Sequence, residues 1–377
     1  MSAGNGRSVQ AAVLDAPRQP ARVERLVLDA PAAGEVLVRL EASGVCHSDL
    51  HQASGDWGEA GPMVLGHEGC GVVEETGHGV DPALRGRRVV LNWSAPCLAC
   101  ASCQSGRQWE CTGTAALSNL LPDGTSRLHR EDGTEVLPFL GLGTFAEAAV
   151  VPAVAAVPID GDVDPAAAAL IGCCVSTGVG AVLKTAKVPA GASMVVYGLG
   201  GVGLSIVMGA VLAGATTIVA VDRSREKLDR AARVGATAGI VAAEDDDETA
   251  ASVREATGGG ADFAFEAIGL RSTIELALRS VRAGGTAVLV GMTPLGVRAS
   301  FDTFDVVDRS LRILGSNYGF AVGALDFPRY AGLHAAGRLP IERLIERTIR
   351  LDEVEDAFEA LRRGEGARRV VRYGAAW

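Results

Sequence analysis

Residues 194–222 read MVVYGLGGVGLSIVMGAVLAGATTIVAVD. A short apolar run meets Gly198, Gly200, Gly201 and Gly203, an apolar helical pattern follows, and a β-branched run over 216–221 stops at Asp222. Strand, glycine turn, helix, strand and acid in that order make the βαβ unit that binds a dinucleotide. Gly198 permits the tight turn, Gly200 lets the backbone approach a pyrophosphate, and Gly203 lets the helix lie close on the strand. The N–H groups at the helix start, around Gly201 and Val202, then face phosphate charge. A carboxylate at Asp222 accepts hydrogen bonds from an adenosine ribose and repels a 2′-phosphate, so the expected cofactor is NAD rather than NADP. A plain glycine-rich turn is the competing reading; both strands, the helix and the acid standing in register set it aside.

Downstream the alternation persists. A helix over 224–234 with Ser224 as N-cap precedes a strand at 238–241, and a helix with an acidic start at 244–248 precedes a strand at 261–267. A helix over 272–281, a strand at 286–292 and a last strand at 312–316 complete six strands with intervening helices, a doubly wound parallel α/β sheet. The segment 352–363 repeats apolar residues at Val354, Ala357, Phe358 and Leu361, a one-faced helix ended by Gly364. It has no strand partner in that sheet and is expected to return to the first domain. Upstream, short alternating runs broken by Pro17, Pro20 and Pro31 continue to about residue 157, a largely β domain. Residues 117–140, with two Asp-Gly turns, read as a long loop at a cleft mouth with His129 and Arg130 solvated. Pro165 sits in the first turn of a helix that reaches Ile171-Gly172-Cys173-Cys174-Val175-Ser176-Thr177-Gly178, the crossing into the second domain.

The totals agree with two domains: 377 residues exceed what one core usually holds. With 48% hydrophobic and 21% charged residues the balance is that of an ordinary soluble chain. No apolar run is expected to reach membrane-spanning length, and the opening MSAGNGRSVQ has neither signal nor transit character, so a loose polar tail and a cytoplasmic location are expected. A net charge of −10 argues against nucleic acid and anionic membranes as partners.

Eight cysteines in such a chain point to metal binding rather than disulfides. Cys97, Cys100, Cys103 and Cys111 follow C-x2-C-x2-C-x7-C in a polar loop, a spacing that closes a tetrahedral zinc site of the structural type. A lobe of this kind is tied down by its metal rather than by a core. A four-cysteine iron–sulfur cluster uses similar ligands and stays open at this point; a zinc-finger DNA reader is disfavoured by the acidic balance. Two further clusters, Gly-Val-Cys46-His47-Ser48-Asp49-Leu50-His51 and Gly66-His67-Glu68-Gly69, crowd thiol, imidazole, hydroxyl and carboxylate beside small residues. Each alone is ambiguous, since a lone cysteine is usually apolar filler.

Taken together, GVCHSDLH, GHEGCGVVEETG, the four-cysteine loop, DGTSR, LIGCCVSTGVG, YGLGGVGLS, VDRSREKL and FEAIG resemble the zinc-dependent medium-chain alcohol dehydrogenases over nearly the whole chain. The resemblance implies a mainly β GroES-like catalytic domain at 1–174 with a zinc lobe at 94–113. An NAD-binding Rossmann domain at 175–317 and a segment at 318–377 returning to the catalytic domain would follow. It implies two zinc ions per subunit, one structural on Cys97, Cys100, Cys103 and Cys111, one catalytic on Cys46, His67 and Cys173. Cys174 then stands at a spacer position and Cys70 is left as buried packing. Asp49 and Glu68 would stand behind the catalytic ligands, Asp49 orienting the His67 imidazole. Two thiolates and a neutral imidazole leave zinc neutral with one position open to an alcohol oxygen. Ser48 would accept the alcohol proton and pass it through the cofactor ribose to His51. On the cofactor side Asp222 and Lys227 match ribose contacts, His47 and Arg368 pyrophosphate contacts, and Thr177 a residue beside the nicotinamide; Ile268 and Met292 join them.

Ser48, Trp57, Trp93, Leu117, Leu140 and Met292 would line the substrate pocket, an apolar and partly aromatic wall. Relatives that oxidise glutathione-conjugated formaldehyde place an acid at the position of Trp57 and a base near Ala115, and neither stands here. The expected reaction is therefore NAD-dependent interconversion of a medium or bulky, apolar or aromatic alcohol with its aldehyde or ketone. The resemblance, through the long 117–140 loop, also implies a homodimer through 286–292 and 312–316, with a tetramer as the alternative. The rival functions are a nicotinoprotein-type dehydrogenase that never releases NAD, a thiol-conjugated formaldehyde dehydrogenase, and a non-catalytic zinc-stabilised NAD-binding protein.

Overall fold

The computed structural model describes residues 6–59 and 61–374. Two compact units divide them: the first runs up to Cys173 and adds Val322–Gly337 and the chain from Ile345 on, and the second holds Cys174–Ala321 and Arg338–Leu344.

In the second unit Ser193–Tyr197, Thr217–Asp222, Ala238–Val241, Ala261–Glu266, Val281–Leu289 and Arg312–Gly315 form one sheet, ordered outward in both directions from Ser193–Tyr197. Every pair in it is parallel, so both faces need cover and the inner strands read as continuous apolar runs. Ser224 caps the helix Arg225–Arg233 by accepting from the Lys227 N–H, and Asp245 caps the acidic-start helix Asp246–Ala256. The strand expected at 286–292 begins earlier, at Val281, and its register against Ala261–Glu266 shifts before settling at Thr286. The short helix Thr303–Asp308 was not read from the sequence; its residues are half-exposed or exposed, leaving no clear apolar face.

The first unit holds two sheets. Arg7–Leu14, Arg22–Leu28, Leu128–His129, Glu135–Pro138 and Met63–Val64 close a small barrel. The segment read as a loop over 117–140 therefore carries a hairpin: its second Asp-Gly is the turn, and His129 and Arg130 face acids rather than water alone. His129 Nε2 lies 3.1 Å from Asp29, and Arg130 pairs with Asp15 and Glu24. Strands of two and four residues are too short for alternation to betray them. In the larger sheet Glu35–Gly44 is central, antiparallel to Glu68–Thr76, Ala148–Pro152 and Arg368–Arg372. Ile345–Ile349 lies parallel to Arg368–Arg372, so the tail supplies two strands as well as the expected helix, Val354–Arg362. The return is not total, because Arg338–Leu344 belongs to the second unit.

The helical stretch Pro165–Thr185 corrects one expectation: its 21 residues are apolar and long enough to cross a membrane by composition. Of its apolar window 89% is buried within the protein, as in a core helix. Ser176, Thr177 and Lys184 break the run in sequence and hide its length. Two wide, π-type turns, Ile171–Val175 and Ala181–Thr185, lie within it.

Candidate active site

The register of two strands gathers the first cluster. Gly44 stands opposite Glu68, so Cys46, just past one strand, and His67, just before the other, emerge at the same sheet end. The helix Pro165–Leu170 packs on both strands and leads into the wide turn that presents Cys173. Cys46, His67, Glu68 and Cys173 offer ligand atoms all within 4.8 Å of one another, and all four residues are buried.

The donor set fits a metal. The thiol hydrogen bond from Cys173 holds Cys46 well below its ordinary value against the opposing pull of burial, and the Arg368 charge adds to this. Cys173 is correspondingly carried well above by its hydrogen bond to Cys46 and by burial; a zinc ion held here would take both sulfurs as thiolates. Burial alone would depress the His67 imidazole; the Asp49 charge and hydrogen bond, with those of Cys46, carry it well above. Asp49 is itself enclosed: Oδ1 accepts from His67 Nδ1 at 2.9 Å and the Gly66 N–H at 3.0 Å, and Oδ2 accepts from the Cys46 N–H at 2.9 Å. One carboxylate thus fixes a ligand imidazole and the backbone beside a ligand thiol, the support a metal-binding histidine needs. Burial pushes Glu68 up to about 7, with the Arg368 charge opposing. Arg368 Nη2 lies 3.0 Å from Glu68 Oε1, yet neither carboxylate oxygen makes an aligned hydrogen bond; the contact is one of charge.

Arg368 differs from expectation. The resemblance put it on a pyrophosphate; here its guanidinium turns inward, donating to the Val45 carbonyl at 2.8 Å and to Cys46 Sγ at 3.3 Å. Its strand pairs Val370 with Gly44, which brings it onto the cluster. Ser48 Oγ lies 3.8 Å from Cys46 Sγ. His51 follows three residues on in the helix His47–Ser54, one turn along the same face. Asp56, which sequence reading passed over, lies 2.7 Å from His51 Nδ1, and Trp57 stacks on the His51 ring at 5.0 Å. The signal was the glycine at Gly55: it ends the helix in the left-handed region, φ 75°, and folds the next residue back.

The four loop cysteines also place their sulfurs within 4.8 Å of one another. Backbone N–H groups of Cys103 and Thr112 pull the Cys100 thiol down to about 5, those of Ala99 and Cys100 lower Cys97, and burial pushes Cys103 up to about 12. The segment has one four-residue helix, Ala101–Gln104, in which Cys103 alone is buried; so small a core cannot hold the loop. Cys70 is buried and pushed above the ordinary thiol range by desolvation, and Cys174 is buried as well.

In the second unit Gly198 has φ 87°, a Cβ on Gly203 would stand 1.7 Å from the Gly198 carbonyl, and one on Gly200 would meet nothing within 4 Å. Turn, open face and close packing thus fall on Gly198, Gly200 and Gly203 in the order the fingerprint assigns them. Asp222 Oδ2 accepts from the Leu199 N–H at 2.9 Å, tying the acid to the glycine turn. Lys227 and Thr177 are half-exposed; Gly201 and Val202 open the helix Gly201–Ala213; Ile268 and Met292 are exposed. Of the pocket residues, Trp57 and Leu140 pack against the first-unit core and Trp93 against its neighbouring cluster. Leu117, expected on the pocket wall, is 74% exposed.

A β unit bearing two cysteine-rich metal sites, joined to a dinucleotide-binding unit, defines a zinc- and nicotinamide-dependent dehydrogenase. The model of the alcohol dehydrogenase GroES-like domain matches residues 32–161, and that of the zinc-binding dehydrogenase matches 201–334. The chain is 36% identical to an S-(hydroxymethyl)glutathione dehydrogenase of Paracoccus denitrificans, over 97% of this chain and 99% of that one. It is also 36% identical to an NDMA-dependent alcohol dehydrogenase of Amycolatopsis methanolica, again over 97% and 99%. A crystal structure of benzyl alcohol dehydrogenase from Acinetobacter calcoaceticus superposes with a TM-score of 0.88 at 29% identity, covering 98% of this chain and 100% of that one. The protein belongs to the zinc-dependent medium-chain alcohol dehydrogenase family and is an oxidoreductase that uses zinc and a nicotinamide dinucleotide.

Proposed function

We propose that the protein is an NAD-dependent alcohol dehydrogenase that interconverts a medium or bulky, apolar or aromatic alcohol with its aldehyde or ketone. The observation that carries the reading is the buried gathering of Cys46, His67 and Cys173 around one point, with Ser48 beside Cys46 and His51 one helical turn on. Zinc bound there supplies Lewis acidity toward the alcohol oxygen. Asp49 holds the His67 ring in its liganding orientation. Ser48 takes the proton the alcohol gives up, and His51, partly open to solvent, is its exit. Cys97, Cys100, Cys103 and Cys111 hold a second zinc that shapes the lobe. Asp222 and Lys227 receive the adenosine ribose, His47 and Arg368 serve the pyrophosphate, and Thr177, Ile268 and Met292 flank the nicotinamide. For Arg368 this requires the guanidinium to leave its inward contacts.

The aromatic side of the substrate reading is supported by Trp57 where an acid would suit a glutathione adduct, by the absence of a base at Ala115, and by the likeness to a benzyl alcohol dehydrogenase. Two other readings have specific support: the Paracoccus relative's name favours a thiol-conjugated formaldehyde substrate, and the Amycolatopsis relative's name an enzyme driven by an external acceptor. One panel separates them. Gel-filtered, zinc-loaded protein is assayed with added NAD on benzyl alcohol, octanol and formaldehyde plus glutathione, and its retained nicotinamide is measured. Turnover of benzyl alcohol dependent on added NAD is expected. Turnover confined to the glutathione mixture, or activity seen only with retained cofactor and an external acceptor, would replace this reading.

We also propose a cytoplasmic homodimer, with a tetramer as the alternative. Arg312–Gly315 is the outermost strand of its sheet with exposed side chains, and Leu295, Phe304 and Val307 nearby in sequence are each at least 75% exposed. An unpaired parallel edge with apolar neighbours invites pairing. Light scattering tests it; a monomer at micromolar concentration would refute it.

A further inference from the structure

We propose that Asp56 and Trp57 clamp the His51 imidazole so that Nε2 is its proton-accepting nitrogen; this rests on the relay role of His51 given above. The backbone builds the clamp. At the end of the helix His47–Ser54, the Gly55 N–H donates to the Gln52 carbonyl at 3.1 Å and the Asp56 N–H to the His51 carbonyl at 2.9 Å, a paired capping arrangement in which a left-handed glycine reverses the chain. The residue after that glycine is thereby placed over the turn that carries His51. Asp56 Oδ2 comes to 2.7 Å from His51 Nδ1, and Trp57 lays its ring on the imidazole at 5.0 Å and 24°. One residue holds the edge of the ring and the next covers its face.

The chemistry follows from the donor inventory. An ionised carboxylate only accepts, so Nδ1 must carry the hydrogen, and a neutral imidazole protonated at Nδ1 has its free lone pair at Nε2. In alcohol oxidation the arriving proton forms an N–H bond at Nε2 as its bond to the preceding oxygen breaks. The cation so formed keeps its Nδ1–H on the carboxylate and its face on the indole, both of which favour positive charge. The Nε2 proton then passes to water, restoring the starting tautomer with no other bond changed. The His51 and Asp56 side chains are 17% and 34% exposed, so that exit is open. The other charged or titratable groups nearby are His47, with its ring 6.4 Å away, and the Arg18–Glu59 pair beside Gly55. Neither occupies Nδ1. Asp56 and Trp57 are positioning residues acting through His51.

The test uses holoenzyme carrying Asp56→Ala, Asp56→Asn, His51→Gln and the double change Asp56→Ala/His51→Gln. Steady-state kinetics are combined with nitrogen-15 spectra of the six histidines, His51 being assigned by its loss in His51→Gln. Asp56→Ala should lower kcat roughly 5- to 10-fold, part of what a positioned base contributes, with KM for alcohol and NAD within about twofold. Asp56→Asn, whose carbonyl accepts the same N–H, should recover most of that loss, and the double variant should match His51→Gln alone. The spectra should show His51 protonated at Nδ1 in the parent and a tautomer mixture in Asp56→Ala. Parental kcat in Asp56→Ala, losses that multiply in the double variant, or a parental ring protonated at Nε2 overturns the clamp while leaving the relay intact. Parental kcat in His51→Gln overturns the relay, and the clamp with it. If Asp56→Ala does not fold, Asp56→Asn and the parental tautomer still decide.

Discussion

Replacing Asp49 by asparagine changes two atoms' worth of chemistry and no volume, and the structure gives the cost. The carboxylate is fully buried and accepts three hydrogen bonds, from the Gly66 N–H, His67 Nδ1 and the Cys46 N–H. With its carbonyl in the Oδ1 place, asparagine keeps the Gly66 and His67 bonds but turns its amide hydrogens toward the Cys46 N–H. A bond to a charged acceptor, worth about 1.5–3 kcal/mol, is lost, and a buried donor is stranded at about 1–3 kcal/mol. The sum is about 2.5–6 kcal/mol, a fall in Tm of roughly 3–8 °C for a chain of this size. The flipped amide is worse, because it opposes two donors instead of one. At the metal, a histidine whose orienting carboxylate has lost its charge should bind zinc about 10- to 100-fold more weakly. The assay is zinc competition against a chromophoric chelator, with calorimetry on the same samples and the four-cysteine site as internal control. Parental affinity at the weaker-held zinc together with a Tm within about 2 °C would refute the orienting role.

Cys100→Ser should reduce bound zinc from two to one per chain and open residues 94–113 to protease, since the loop buries little besides Pro96 and Cys103; two zincs retained on an intact loop would count against a four-sulfur site. Asp222→Gly should cut kcat/KM for NAD about tenfold and raise it for NADP, read from initial rates with both cofactors; an unchanged ratio means the acid does not meet the ribose. Gly203→Ala forces a Cβ to 1.7 Å from the Gly198 carbonyl, so the helix must shift. NAD affinity by calorimetry should fall more than tenfold, with overpacking costing about 1–3 kcal/mol of stability.

The nucleotide-binding unit was legible because each signal in it is local. The alternation of strand and helix, the cap at Ser224, the acidic helix start at 244–248 and the three glycines all announce themselves within a few residues. The four-cysteine loop was legible for the same reason. What escaped depended on distant pairing or on backbone reversal. The hairpin at Leu128–His129 and Glu135–Pro138 shows itself only through the barrel it closes. Arg368 carries no sequence mark of facing Cys46, because that follows from the register of Val370 on Gly44. Asp56 drew no notice in the sequence, because only the reversal at Gly55 puts it against His51. The long apolar helix escaped because three polar side chains interrupt its run.

The strand Arg368–Arg372 carries a consequence for how the protein is made. Arg368 and the Val45 carbonyl it holds are 323 positions apart, so the ribosome emits the entire nucleotide-binding sheet between the first metal ligand and the strand that shelters it. During that interval the Ala42–Gly44 end of Glu35–Gly44 waits with one side unzipped, because Ala148–Pro152 covers only the Glu35–Arg39 part, and it is exposed to any other chain that offers a complementary edge. The nascent protein thus passes through a window in which its cofactor half can be finished and its zinc half cannot, and a chaperone or early metal capture would have the most to do there.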